Sequence, residues 1–214
     1  MKKQIWSIFG LAAFVIAPLF AWADEEDLPR PDPTIAEFAR GVKFKVNGYT
    51  GTEVLTNFPV LVRLKEYNEG TNEGIRGFLY SDFTRADYKD LCFVDMQTNG
   101  LPCEVDTWNA SGESLVWVTL PRMTNGTEFV MWYHSSSLGS LVCDKTAWGD
   151  YAGVWHMNDL GDGAVTIADA TTNKLDATAT SESYAQSSGR IGGARIPTKD
   201  GMDRGRQRSA SRSI

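Results

Sequence analysis

The chain has 214 residues, with 21 Lys+Arg, 27 Asp+Glu, two His and three Cys, for a formal net charge of −6. Hydrophobic residues make up 42% and aromatics 11%, enough to build a core, which excludes wholesale disorder. The acidic balance argues against phosphate-backbone binding, and Cys92, Cys103 and Cys143 lack the CxxC spacing of a structural zinc site.

Residues 1–23 read as an export signal. Lys2 and Lys3 precede a mostly apolar run from Ile5 to Phe20, and Ala21-Trp22-Ala23 forms an A-x-A cleavage signal ahead of the acidic Asp24–Asp27. At about 1.5 Å per residue the run reaches roughly 24 Å, short of the roughly 30 Å hydrocarbon core, and Pro18 weakens it further as a span. Cleavage between Ala23 and Asp24 is expected. It leaves 19 basic against 27 acidic residues and an exported protein (periplasmic, at the cell surface or extracellular) with no membrane span thereafter.

Residues 24–35 begin DEEDLPRPDP, a charged and Pro-rich composition that suits an extended spacer. Asp32 as N-cap, Pro33 at the first helical position and Gly41 as the stop predict one or two helical turns over 34–40. Period-two patterning then takes over. Val42, Phe44 and Val46 alternate with Lys43 and Lys45, as in a half-buried strand. Further strands are expected at Pro59–Leu64, Leu91–Asp95, Pro102–Trp108, Leu115–Leu120 and Phe129–His134. The turn signals Thr98-Asn99-Gly100, Asn109–Gly112 and Thr124-Asn125-Gly126 between them predict antiparallel hairpins. The fold class expected is all-β, with residues 36–140 forming an antiparallel β-sandwich.

A second segment, 148–194, opens with aromatic-rich Trp148–Asp159 and carries two echoing triplets, Asp169-Ala170-Thr171 and Asp176-Ala177-Thr178. Two triplets are too few for a repeat architecture. From Arg195 the chain turns basic, polar and serine-rich, so 195–214 is expected to be a disordered tail without a strand.

The motifs NGYTGTEVLTNFPVLVRL (47–64), GFLYSDF (77–83), DLCFVD (90–95), LPCEVDTWN (101–109) and ESLVWVTLP (113–121) run in one order through almost half the chain. In them the stretch from about 36 to 137 resembles a bacterial domain family of unassigned function, found in secreted and envelope proteins. Some members are labelled biopolymer-transport proteins of the proton-channel kind. The sequel GVWHMND (153–159), DATTNKLDATAT (169–180) and GRIGGA (189–194) resembles the start of a laminin-G or concanavalin-type jelly roll, a lectin-like domain that often follows this family. Such a fold normally runs well over a hundred residues. The resemblance therefore implies an incomplete jelly roll and a truncated or frame-shifted product; it implies no reaction and no catalytic residues.

Candidate chemistry is sparse. His134 and His156 sit in aromatic runs and read as structural or surface residues. Glu104 and Asp106, two apart on a strand, share a face as a glycosidase pair could, but neighbours on one strand face ordinarily point together into solvent. Asp159 and Asp162 with Gly161 and Gly163 miss the calcium-loop spacing. Asn109-Ala-Ser111 and Asn125-Gly-Thr127 match the glycosylation sequon and read as turns. Of the Trp residues downstream of the signal, Trp117 and Trp132 are expected inside strands and buried. Trp108, beside a turn, is the candidate for glycan contact, since a lectin-like site would need the complete jelly roll.

The thiols of an exported protein meet an oxidising space. A four- or six-residue loop centred between Gln97 and Thr98 would set Cys92 opposite Cys103 within bridging reach, leaving Cys143 free. A two-residue Asn99-Gly100 turn would instead set Cys103 opposite Met96.

The function expected is an exported, non-enzymatic β-sandwich module for cell-surface adhesion or carbohydrate contact. Its partner is a glycan or an envelope protein, with no nucleic acid and no cofactor. Two other classes stay open: a structural accessory of an envelope biopolymer-transport assembly, and a fragment of a glycoside-processing enzyme.

Overall fold

The computed structural model describes residues 28–31, 38–85, 90–135, 147–158, 165–179, 184–189, 191 and 193–197. The signal segment 1–23 with its Ala23–Asp24 junction, Cys143, the Asp159–Asp162 motif and residues 198–214 lie outside them. The chain divides into two compact units between Ala147 and Trp148.

Among its described residues the first unit has six strands: β1 (Arg40–Lys45), β2 (Leu55–Lys65), β3 (Cys92–Asp95), β4 (Cys103–Thr107), β5 (Glu113–Met123) and β6 (Glu128–Tyr133). They form two antiparallel three-stranded sheets, ordered β1-β6-β3 and β2-β5-β4. Alternation decides which side chains meet. Phe44 of β1, Phe93 of β3 and Phe129, Met131 and Tyr133 of β6 share one core with Val60, Val62 and Leu64 of β2, Cys103 of β4 and Val116, Val118 and Leu120 of β5. Two sheets facing each other across one apolar layer make a β-sandwich. Phe44 stacks on Phe129 with ring centroids 5.5 Å apart, and burial of each such side chain contributes roughly 1.5–3 kcal/mol.

The expected strands all form, but two expected hairpins do not. Among these six strands only β4 and β5 are paired neighbours in sequence; the turns at Asn99-Gly100 and Asn125-Gly126 pass the chain from one sheet to the other. The first of these starts as a hairpin, with Asp95 N–H donating to Asn99 O at 3.0 Å and Leu101 N–H to Phe93 O at 2.8 Å. Pro102 then has no amide hydrogen to extend that ladder. Its carbonyl instead accepts Thr119 N–H of β5 at 2.9 Å, and the chain continues as β4 in the opposite sheet.

The other face of β1-β6-β3 is covered too. Leu28 and Phe38 pack on Cys92, Val94, Val130 and Trp132. The Trp132 indole N–H donates to Pro29 O at 3.0 Å, and the Arg30 guanidinium lies 4.6 Å from its ring centroid. Leu28–Pro31, expected to be spacer, is therefore a strap packed on the sheet. Gly41 stands opposite Trp132, where a Cβ would come within 2.8 Å of the indole, so the ring can cross β1 only over a glycine. Of the helical turns expected over 34–40, residues 34–37 lie outside the described residues, and Arg40 already belongs to β1.

The second unit holds β7 (Val165–Ile167) paired with β8 (Ala177–Ala179), and β9 (Tyr184–Ser188) paired with β10 (Gly193–Pro197), all antiparallel. Arg195–Pro197, expected to open a strandless tail, lie inside β10. A two-stranded ladder needs only backbone partners, which the β9 backbone supplies.

Candidate functional site

The expected Cys92–Cys103 bridge is not formed. Cys92 is a free, buried thiol, whereas Cys103 is disulfide-bonded. The sheet switch at Pro102 is the cause: Cys92 pairs with Trp132 in one sheet, Cys103 with Val118 in the other. Cys92 points away from the sandwich interior, beneath the Leu28 strap, and Cys103 points into it. Burial pushes the Cys92 thiol up to about 12.

Trp108 is half-buried rather than an open platform. Its ring meets the buried Tyr80 edge-on at 5.4 Å and the half-buried Phe83 at 4.9 Å. Trp117 and Trp132 are both buried, although alternation turns them away from the sandwich interior that Val116, Val118, Met131 and Tyr133 face. His134 takes a left-handed backbone, φ 61°, and its Nδ1 pairs with the Asp82 carbonyl oxygen. The His156 ring lies 5.6 Å from that of Trp148. On β4, Asp106 accepts the Trp117 indole N–H at 3.2 Å, and the strand bulges between Val105 and Thr107. Among the described residues no group of three or more His, Cys, Asp or Glu is placed to hold a metal ion.

The most organised polar cluster lies in the second unit and explains the two DAT triplets. Asp169, 1% exposed, receives four hydrogen bonds: Val154 N–H and Thr171 N–H on Oδ1 at 2.9 and 3.0 Å, Thr171 O–H and Leu175 N–H on Oδ2 at 2.8 and 2.9 Å. The second triplet answers the first, because Asp176 Oδ1 accepts Asp169 N–H at 2.9 Å. Burial by itself raises the Asp169 pKa, but these hydrogen bonds to the ionised form outweigh it and hold the carboxyl down at about 2. Asn173 ties the same turn to the preceding segment, its amide donating to Tyr151 O at 3.2 Å and Ala152 O at 3.0 Å.

Trp155 stands on this framework, 37% exposed, the most exposed tryptophan among the described residues. Its indole N–H donates to Leu175 O at 3.0 Å. The opposite edge of the ring lies over Gly153, where a Cβ would come within 2.6 Å of it. A large aromatic ring is thus pinned at both ends yet open to solvent, beside the exposed Leu175. Sequence reasoning missed it; the signal available was a glycine two residues before a tryptophan.

No protein-family model, curated protein or solved structure matches this chain.

Proposed function

We propose that this protein is an exported, non-enzymatic β-sandwich module for cell-surface adhesion or carbohydrate contact, and that the contact is made by the second unit through Trp155. The observation that supports this reading is the fixed, solvent-facing indole. A ring already held by the Leu175 carbonyl and by Gly153 loses little conformational freedom when a flat apolar face, such as that of a pyranose, settles on it. The four-bonded Asp169 turn supplies the rigidity underneath. The half-buried Trp108, engaged with Tyr80 and Phe83, is the poorer platform.

Screening the mature chain on a glycan array, followed by calorimetric titration of the hits, tests the reading. Trp155→Ala is expected to weaken binding about tenfold, roughly 1.4 kcal/mol, while Trp108→Phe leaves it unchanged. Absence of any glycan ligand, or full retention of affinity in Trp155→Ala, would contradict it.

A further inference from the structure

The sequence contains three Asn-Gly pairs, at 47–48, 99–100 and 125–126. Such pairs are chemically labile because glycine, without a Cβ, lets its own backbone nitrogen approach the preceding side-chain amide. By sequence the three are alike. The fold treats them differently.

Asn99 is locked. Its side-chain Nδ2 donates to Asp95 Oδ2 at 2.8 Å, its backbone N–H to Asp95 Oδ1 at 2.9 Å, and its carbonyl accepts Asp95 N–H at 3.0 Å. Gly100 is also bridged to Val94. At the second pair the nucleophile itself is held: Gly126 N–H donates to Val46 O at 2.8 Å. Deamidation at either position first requires those bonds to open.

Asn47-Gly48 has no such restraint. Both residues are exposed, and neither the Asn47 side chain nor the Gly48 amide makes a hydrogen bond among the described residues. Gly48 has φ 86° and open space where a Cβ would stand. The residue just before them is fixed, because Val46 is buried and bonded through both N–H and carbonyl to the β5–β6 turn, at 2.8 Å each. The pair is thus a free hinge at the edge of a rigid ladder.

We propose that Asn47 is the site of spontaneous deamidation in the folded protein. The deprotonated Gly48 nitrogen attacks Asn47 Cγ, forming a C–N bond. The Cγ–Nδ2 bond breaks and ammonia leaves with the proton given up by Gly48. Water then opens the resulting succinimide at one carbonyl or the other, giving aspartate or isoaspartate. The change adds one negative charge at the mouth of the 47–54 loop. In the isoaspartyl product it also lengthens the backbone by one carbon next to the anchored Val46.

The test is peptide mapping of the full chain after prolonged incubation in mildly alkaline buffer, with isoaspartate scored at each of the three positions, once natively and once in concentrated urea. In the native protein Asn47 should convert at least about tenfold faster than Asn99 or Asn125, the cost of opening their hydrogen bonds. In urea the three rates should converge, since the difference belongs to the fold. Native conversion at Asn99 or Asn125 that keeps pace with Asn47, or an Asn47 lead that survives in urea, would overturn the proposal.

Discussion

Tyr80 shows how much of this fold hangs on single polar atoms. Its hydroxyl donates to Leu64 O at 2.7 Å, touches Ser114 Oγ at 2.8 Å and accepts Ser114 N–H at 3.1 Å, knitting the 3-10 turn Tyr80–Asp82 to β2 and β5. Burial raises the hydroxyl pKa, so the group stays protonated in this network. Tyr80→Phe leaves a buried amide and carbonyl short of a partner and should cost about 1–3 kcal/mol, read as a lower urea midpoint with an unchanged m value. Cys92 offers a second residue-scale prediction. With its pKa pushed up to about 12, the thiol is neutral and shielded, so it should resist alkylation natively and react fully after denaturation, while Cys103 is recovered in a disulfide. Because the folded pKa is raised, the thiol's contribution to stability is full below its ordinary value of 9.0 and is lost as pH rises from there towards 12. A Cys92–Cys103 peptide in a non-reducing map would refute the assignment.

At the scale of elements, alternation made the strands legible and left their partners hidden. Val60, Val62 and Leu64 against Leu61 and Arg63 announce a strand and its inward face, but an inward face says nothing about which neighbour supplies the ladder. The sheet switch turned on Pro102, a residue that the expected hairpin counted as ordinary strand. The Leu28 strap was illegible for another reason: Leu28 and Pro29 sit in a charged stretch whose average hides two residues that find Trp132. The echo of the DAT triplets was visible, but its meaning was not, because an acid gathering four donors looks in sequence like any loop aspartate. Asp169→Ala should release Val154, Thr171 and Leu175 amides together, costing on the order of 3 kcal/mol in the second unit and exposing residues 148–179 to proteolysis. The carboxyl, lowered to about 2, stabilises fully above its ordinary value of 3.8, and this contribution fades as pH falls towards 2. Amide protection at Thr171 and Leu175 should therefore drop in that acid window.

At the scale of the whole molecule, the two compact units differ in what their described residues bury. The first unit buries its strands' inner faces against each other and covers Trp132 with its own N-terminal strap. Packed Leu28 lies four residues past Asp24, so cleavage after Ala23 spares the strap; the intact mass of the exported product should begin at Asp24, and a mass retaining residues 1–23 would reject the export reading. The second unit pairs its strands in two hairpins and leaves Trp155 in solvent. Trp155 is more exposed than Trp108, a distinction set by which neighbours each finds in three dimensions, and in the proposed function it is the ring that meets the partner. The measurement that tests this most directly follows the indole N–H resonances of the mature chain by NMR as glycans are added. The Trp155 signal should move with ligand while those of Trp108, Trp117 and Trp132 stay in place. Movement of Trp108 alone, or an unmoved Trp155 at saturating ligand, would contradict it.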